Sequence, residues 1–248
     1  MRMTRVFIDA PLAEGMRLEL PAGPAGHVVR VLRLATGDEL RLFNGRGGEF
    51  AATIDAVRRN EVMVRIGARR DLERESPLRI TLLQGIARGE KMDLILQKAT
   101  ELGARAFVPV MMARSTVRLD SRTALARQQH WQAVVTSACE QSGRNTVPVV
   151  SAPVSLQDCL RASTGLRLLL APGEDSVPLP ALLGGVPQQP PERVELLVGP
   201  EGGFDPTETA AALAAGFTAT RLGPRILRTE TAGLAAIAAL QVLAGDLR

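Results

Sequence analysis

The sequence predicts two parts of different fold class: a small all-β barrel over residues 1–72, followed by an α/β domain over residues 73–248. Short runs in which apolar residues alternate with polar ones dominate the first part, which is typical of half-buried strands. A charged stretch at 69–77 marks the boundary. Beyond it, strands alternate with helices, and this order predicts a mostly parallel sheet with flanking helices.

Three strands account for most of the first part. Residues 39–43, 49–57 and 61–68 place apolar side chains at every second position, and Asn44-Gly45 supplies a tight turn between the first two. Residues 26–34 have helical periodicity, and we expect them to lie across one end of the barrel. Arginines on the outward faces are candidates to follow a phosphate backbone, although charged side chains also simply solvate an exposed sheet.

The second part alternates strands and helices along its whole length. The predicted strands are 79–83, 106–110, 147–150, 166–171, 193–198 and 218–222, and the predicted helices are 91–102, 121–142, a short one after Ser155, one after Asp205, and 229–243. Gly103 is expected to end the first of these helices. Asp205-Pro206-Thr207-Glu208 has the pattern of a capping box, with proline at the first helical position.

Two glycine-rich segments, 196–204 and 222–232, are the most informative feature of the chain. Each begins in an apolar strand and runs directly into a helix. Glycine at such a turn lets backbone N–H groups approach a ligand without a Cβ in the way. Neither segment is a phosphate loop or a dinucleotide fingerprint, because the required residues and spacing are missing. Two turns of this kind in one domain predict a single cofactor held by both.

Composition narrows the function further. Cys139 and Cys159 are the only cysteines and His27 and His130 the only histidines, so we expect no metal site and no hydrolase triad. No apolar run approaches the roughly 20 residues of a membrane span, and the first residues do not resemble a signal peptide, so a cytoplasmic protein without a membrane partner is expected. The cations are almost all arginine, which is compatible with RNA binding.

The glycine-rich segments resemble the signature of SPOUT methyltransferases, and specifically the bacterial 16S ribosomal RNA uridine-N3 methyltransferases. The resemblance is carried by Gly199-Pro200-Glu201-Gly202-Gly203 and by Leu222-Gly223 with Arg225-Ile226-Leu227-Arg228 and Glu230-Thr231-Ala232. It extends over nearly the whole chain, through residues 44–48, 97–103, 114–115 and 138–144.

The resemblance implies a trefoil knot in the C-terminal domain, a PUA-like N-terminal barrel that binds RNA, and a homodimer. It implies S-adenosylmethionine as cofactor and the small ribosomal subunit as partner, with methylation at N3 of uridine 1498 of 16S rRNA. The matching cofactor-binding positions are Leu170, Ala171, Val198, Gly199, Pro200, Glu201, Gly202, Gly203, Leu222, Gly223, Ile226, Leu227, Arg228, Thr229, Thr231 and Ala232.

Methylation of uracil N3 requires removal of its proton or stabilisation of the resulting anion. Glu140, Glu201 and Glu230 are candidate bases or orienting groups, and the proposed catalytic set is Glu201, Arg228, Glu140 and Arg114. The competing interpretations are that Glu201 only braces its turn and that Glu140 and Arg144 only form ion pairs at a helix end. The candidate RNA-binding residues are Arg30, Arg46, Arg58, Arg59, Arg65, Arg114 and Arg144.

Two other functions are compatible with the sequence. One is a knotted methyltransferase that acts on a different RNA position or on a ribose hydroxyl. The other is a non-catalytic RNA-binding factor for ribosome assembly that retains the pocket. The intact Glu201, Arg228 and Glu230 weigh against the second alternative.

Overall fold

The computed structural model describes residues 3–59, 61–161, 165–184 and 191–247. Its contacts divide the chain into two compact units. The first unit comprises residues 1–75 and 139–147, and the second comprises 76–138 and 148–248. The expected single boundary near residue 72 therefore did not include the short segment 139–147, which packs with the N-terminal unit.

The first unit contains a five-stranded sheet in the order β1-β3-β4-β5-β2. β1 and β3 are parallel and the other pairs antiparallel. The side chains of Leu42, Ile54 and Val64 are fully buried in its core. Its elements are β1 (Arg5–Phe7), β2 (Arg17–Glu19), α1 (Ala22–Gly26), a π-helical turn (His27–Val31), β3 (Glu39–Phe43), β4 (Glu49–Arg58) and β5 (Glu61–Arg70).

The helix expected at 26–34 has different bounds and geometry. The α-helix starts earlier, at Ala22, and ends at Gly26, after which the backbone widens into the π-helical turn. The amide of Leu32 bonds to the carbonyl of His27, five residues back, and Arg33 then adopts a positive φ of 54° that ends the turn. Helical periodicity alone does not distinguish these two kinds of helix, since both bury one face.

Segment 139–147 belongs to the first unit because polar contacts tie it to that unit. The Arg5 guanidinium donates to the Asn145 side chain and to the Arg144 carbonyl, each at 2.8 Å. The Asn145 amide donates to the Leu72 carbonyl at 2.8 Å, and the Arg144 guanidinium pairs with Glu75. These contacts join residues far apart in sequence, so the local composition of the chain does not indicate them.

The second unit is built on an eight-stranded sheet in which every described pairing is parallel. The strand order is β11-β13-β10-β12-β6-β7-β8, and β9 also pairs with β7. The strands are β6 (Arg79–Gly85), β7 (Ala106–Met111), β8 (Val149–Val150), β9 (Val154–Ser155), β10 (Leu166–Leu170), β11 (Val177–Pro178), β12 (Arg193–Val198) and β13 (Thr218–Arg221).

Helices flank this sheet, as predicted. They are α2 (Glu90–Glu101), α3 (Ser121–Ser142), α4 (Leu156–Cys159), α5 (Leu179–Leu182), α6 (Pro206–Ala214) and α7 (Thr229–Ala244), and the end of α3 after Ala138 belongs to the first unit. Gly103, with a φ of 88°, follows the end of α2, and the predicted capping box is present at α6. Helix α7 packs on α2, β6 and β12. No helix in the described ranges has the length and apolarity needed to cross a membrane.

The register of four neighbouring strands determines where a site can form. Leu170 of β10 lies beside Val198 of β12 and Thr220 of β13, and Val198 lies beside Gln84 of β6. The carboxyl ends of these strands therefore meet along one edge of the sheet. In parallel α/β sheets ligands bind at this edge. The threading of the chain through a knot stays a prediction.

Candidate cofactor-binding site

A cavity of about 700 Å³ lies at the carboxyl edge of the second unit's sheet. Most of its wall comes from three stretches: residues 170–176 after β10, residues 198–201 with 203–204 after β12, and residues 226–230 with Ala232 before and within α7. Cofactor and drug-sized ligand pockets range from roughly 300 to 1,000 Å³, so one such molecule fits here. Both glycine-rich segments contribute to this wall, as the sequence predicted.

Most of the predicted cofactor-binding residues meet at this cavity. Those that line it are Leu170, Ala171, Val198, Gly199, Pro200, Glu201, Gly203, Ile226, Leu227, Arg228, Thr229 and Ala232. Gly202, Leu222, Gly223 and Thr231 are not among the lining residues. Gly202 instead packs against Arg114, and Gly223, with a φ of 80°, shapes the turn that follows β13.

Close packing fixes the first glycine-rich segment. A Cβ on Gly202 would lie 2.8 Å from the Cβ of Arg114 and 2.9 Å from its carbonyl oxygen. A Cβ on Gly85 would lie 2.6 Å from the ring of Pro200. Side chains do not fit at such distances, so both glycines are required by the approach of another backbone. Gly203 differs: its φ is 68°, and the space beside its Cα is open for 4 Å. The wall of the cavity therefore has an uncovered stretch of backbone, as a cofactor cradle needs.

Buried hydrogen bonds join the two segments. The Thr229 hydroxyl donates to the Gly199 carbonyl at 2.6 Å, and the Gln84 amide donates to the Thr229 hydroxyl at 3.0 Å. The same amide donates to the Gly85 carbonyl at 2.9 Å. Strand β6 thus contributes to the site although no residue of it was predicted to do so.

Lys91 links the acidic residues of the two segments. Its ammonium lies 3.5 Å from the Glu201 carboxylate and 3.8 Å from that of Glu230, and all three residues line the cavity. The Arg88 amide donates to Glu201 at 3.0 Å. Burial acts to raise the pKa of Glu201, but this hydrogen bond, one from its own backbone amide and the Lys91 ammonium outweigh it, so the pKa is lowered. Glu201 is therefore an ionised, well-anchored carboxylate near neutral pH.

The remaining catalytic candidates lie elsewhere. Arg114 donates to the Gly202 carbonyl at 3.3 Å and lies 3.7 Å from Asp205, so it supports the first segment from outside the cavity wall. Glu140 belongs to the first unit, where it accepts a hydrogen bond from the Phe7 amide at 2.9 Å. Burial raises the pKa of Glu140, and that hydrogen bond opposes the rise. The structure does not bring Glu140 into the wall of the cavity.

The predicted RNA-binding arginines differ in their exposure. Arg30, Arg46, Arg58, Arg59 and Arg65 are exposed in the first unit, and Arg65 lies 3.3 Å from Asp55. Arg144 is different, because its side chain is only 4% exposed and pairs with Glu75. The structure argues against the prediction that Arg144 contacts RNA. It favours the competing interpretation of an ion pair at a helix end.

Sequence reasoning missed part of the cavity wall. The missed lining residues are Lys91, residues 172–176, Phe204, Thr209, Leu213 and Ala219. The signal for 172–176 was present, since these residues directly follow a central strand whose end was already assigned to the site. One feature of the sequence could have drawn attention to Lys91: it is one of only two lysines in an arginine-rich chain.

Among the described residues, no group of side chains has the composition and proximity needed to bind a metal ion. No three histidine, cysteine, aspartate or glutamate side chains come together in the parts of the chain that the structure covers. Burial raises the pKa values of the Cys139 and Cys159 thiols to about 12, so both are protonated near neutral pH. The charged side chains that line the cavity are the carboxylates Glu174, Asp175, Glu201 and Glu230 and the cations Lys91 and Arg228.

Comparison with known proteins assigns the family. Residues 74–241 match the family model described as an RNA methyltransferase domain, and residues 25–67 match the one described as an RNA methyltransferase PUA domain. The ribosomal RNA small subunit methyltransferase E of Bacillus subtilis is 31% identical over 98% of this chain and 100% of its own length.

Two solved structures resemble the whole chain. A putative methyltransferase from Legionella pneumophila in complex with S-adenosylmethionine has a TM-score of 0.94, and the ribosomal RNA small subunit methyltransferase E of Neisseria gonorrhoeae bound to S-adenosylmethionine has 0.91. Each is 39% identical, and the similarity covers 100% of both chains in each case. The predicted fold class, a PUA-like unit with an α/β methyltransferase domain, is confirmed. This chain belongs to the family of RNA methyltransferases that carry a PUA domain.

Proposed function

We propose that this protein methylates 16S rRNA of the small ribosomal subunit, using S-adenosylmethionine, at N3 of uridine 1498. The observation that carries the proposal is the cavity at the carboxyl edge of the sheet, where both glycine-rich segments meet. Relatives that match this chain over its full length were crystallised with S-adenosylmethionine, and curated relatives of the same length are named small subunit rRNA methyltransferases.

The residues of the cavity fit this cofactor. Glu174, Asp175, Glu201 and Glu230 line it, against the cations Lys91 and Arg228. An acidic wall suits a ligand with a sulfonium and an ammonium group. Ala171, Leu227 and the open backbone at Gly203 supply apolar contact and amides for an adenosine. When bound, the cofactor would supply an electrophilic methyl group.

The protein's own part in the reaction is to position the uracil that accepts the methyl group and to assist the removal of the proton from its N3. Uracil N3 carries a proton near neutral pH, so a base must accept it or a cation must stabilise the anion. Glu201 is already held by the Arg88 amide and Lys91, which favours an orienting role. Glu230 lines the cavity and is the better candidate base, and Arg228 beside it is the candidate cation for the uracil oxygens.

We assign RNA contact to the first unit and expect a homodimer. The exposed arginines Arg30, Arg46, Arg58, Arg59 and Arg65 support the first part, since guanidinium groups pair with phosphates. Helix α7 supports the second: from Gly233 to Ala244 its only polar side chain is Gln241, which is buried, and Val242 is 51% exposed. An exposed apolar side chain on such a helix is a candidate contact with a second copy. Sedimentation of the purified protein tests the dimer.

The decisive experiment is to map the methylated nucleotide. Purified protein is incubated with labelled S-adenosylmethionine and small ribosomal subunits that lack the modification, and in parallel with free 16S rRNA. We expect label on N3 of one uridine. Label on another base or on a ribose hydroxyl would replace the proposed target. Binding of RNA without any transfer would support the assembly factor.

A matched pair of variants controls this experiment. Gly203→Val places a branched side chain on the cavity wall, and we expect transfer to be lost. Gly216→Val makes the same change at a glycine of similar φ, 87°, that is equally open but does not line the cavity. Equal losses in both variants would mean that backbone strain, and not the cavity, explains the result.

A further inference from the structure

Gln84 is an unusual residue for its position. It lies near the carboxyl end of β6, a central strand, and is only 1% exposed, while the neighbouring Leu82 and Leu83 are apolar and buried. Buried strands of parallel sheets are nearly continuous apolar runs. An amide side chain in such a place loses its bonds to water and is retained only when the protein supplies partners.

The partners of Gln84 come from both glycine-rich segments. Its Nε2 donates to the Thr229 hydroxyl at 3.0 Å and to the Gly85 carbonyl at 2.9 Å, and lies 3.5 Å from the Gly199 carbonyl. The Thr229 hydroxyl in turn donates to that carbonyl at 2.6 Å. The donors and acceptors form one chain, from Gln84 through Thr229 to Gly199, and all of it is buried.

This arrangement leaves the oxygen of the Gln84 side-chain amide without a hydrogen bond. Among the described residues, the Oε1 of Gln84 has no hydrogen-bond partner. A residue chosen only for stability at this position would be apolar, because a partly satisfied buried amide is worse than a well-packed hydrocarbon. The amide is therefore explained by what its Nε2 does, which is to hold two separate loops at a fixed distance.

We propose that Gln84 is a positioning residue: through Thr229 it sets the spacing of the two glycine-rich segments and so the affinity for S-adenosylmethionine. This inference rests on the proposed function. Gly199 and Thr229 line the cavity from opposite segments, so a change in their separation changes the shape of the wall. Gln84 itself does not line the cavity and acts through residues that do.

The test compares two buried pairs of residues by calorimetric titration with S-adenosylmethionine. Gln84→Met and Thr229→Val remove the chain at nearly constant volume. Gln241→Met and Thr100→Val are matched controls: both residues are fully buried, Gln241 donates to the Leu102 carbonyl and Thr100 to the Leu96 carbonyl, and neither lines the cavity.

We expect Gln84→Met and Thr229→Val to weaken binding about tenfold, the effect of one or two lost hydrogen bonds, and the controls to change it less than about twofold. The melting temperature without ligand should fall in Thr229→Val and in both controls, whereas Gln84→Met should change it little, because the amide of Gln84 is only partly satisfied. The double variant should bind about as weakly as the weaker single variant, because both changes interrupt one chain. Thr229→Ser, which keeps the hydroxyl, should recover most of the affinity lost in Thr229→Val.

The outcomes separate this inference from the proposed function. If the unaltered protein does not bind S-adenosylmethionine, the proposed function fails. If it binds and Gln84→Met and Thr229→Val bind no worse than the controls, only the positioning role is overturned. Failure of Thr229→Ser to recover binding also overturns it, because the hydroxyl would then not be the group that matters. If Gln84→Met does not fold, the comparison of Thr229→Val with Thr229→Ser decides.

Discussion

The two glycine-rich segments line one cavity but are built in different ways. The first is fixed by contact: Gly202 lies against the Arg114 backbone, and Pro200 lies against Gly85. The second is fixed by backbone conformation at Gly223, which has no atom within 4 Å of its missing Cβ, and it carries the side chain of Ile226 with 89% of its surface exposed. Similar sequence patterns thus have different physical causes.

This difference indicates that the two segments contribute to ligand binding in different ways. A segment held by close packing before the ligand arrives is preorganised, and it loses little entropy on binding. A segment with an exposed apolar side chain at the cavity has surface left to bury, and its contacts are completed by the ligand. We therefore expect substitutions in the first segment to affect folding and binding together, and substitutions in the second to affect mainly binding.

The largest effect is expected for Gly202→Ala. The added methyl group would lie 2.8 Å from the Arg114 Cβ and 2.9 Å from its carbonyl oxygen, so the backbone must move. Overpacking of this kind costs about 1–3 kcal/mol of stability. The displaced segment should also lose most of its affinity for S-adenosylmethionine. Thermal unfolding and calorimetry measure the two effects on the same sample.

Gly203→Ala is the control for this change. At Gly203 the added methyl group meets no atom within 4 Å, and only the φ of 68° opposes it, at about 1–2 kcal/mol. If Gly202→Ala were no more destabilising than Gly203→Ala, close packing would not be what distinguishes the first segment.

The next effect is on binding alone. Ile226→Ser removes an apolar side chain that is almost wholly exposed, so stability should change by less than about 0.5 kcal/mol. Burying an isoleucine contributes about 1.5–3 kcal/mol, so affinity for S-adenosylmethionine should fall about tenfold if the cofactor covers this side chain. Val149→Ser, at an exposed valine of β8 that does not line the cavity, should leave binding unchanged. A large drop in the melting temperature of Ile226→Ser would contradict the idea of a segment completed by its ligand.

Local signals explain how much of the fold could be predicted. Strand 193–198 was predicted with its final bounds, because Val194 and Leu196-Leu197-Val198 form an apolar run that only Glu195 interrupts. The start of α6 was predicted because Asp205 and Glu208 form a capping box within four residues. The glycine-rich segments could be assigned to one site because each follows a strand, and the carboxyl ends of parallel strands lie at one edge.

The parts that sequence analysis missed depend on contacts between distant residues. Gln84 meets Thr229, and Lys91 meets Glu201, only because β6, β12 and α7 are neighbours in the folded sheet. Arg144 was predicted to bind RNA from its sequence context, but in the structure its side chain is buried and pairs with Glu75. The residue pattern within one segment does not show which other segment will lie beside it, because that depends on the order of the strands in the folded sheet.

A smaller effect is expected for Gly223→Ala. The φ of 80° is unfavourable for alanine and should cost about 1 kcal/mol, while the open space around it adds no clash. Since Gly223 does not line the cavity, its substitution should reduce cofactor affinity less than Gly203→Ala does. Gly216→Ala is the control: Gly216 has a φ of 87°, so alanine is strained there as well, but Gly216 lies outside both glycine-rich segments. An affinity loss as large as that of Gly203→Ala would show that the second segment is as preorganised as the first.

The smallest effect, and the one that joins both segments, is expected for Lys91→Met. Lys91 contacts Glu201 of the first segment and Glu230 of the second, but it is partly exposed, so the two ion pairs together should contribute less than about 1 kcal/mol. Lys98→Met is the matched control, because Lys98 lies on the same helix and pairs with Glu101 at 2.8 Å.

The pH dependence identifies the cause of the Lys91 effect. The folded-state pKa of Glu201 is lowered from 4.5, so its stabilising contribution is complete above that value and disappears as the pH falls through the lowered pKa. The difference in melting temperature between the unaltered protein and Lys91→Met should therefore be present at about pH 7 and vanish in acid. A difference that persists in acid would assign the effect to packing of the lysine stem, and the two segments would then be joined only by the buried hydrogen bonds of Gln84 and Thr229.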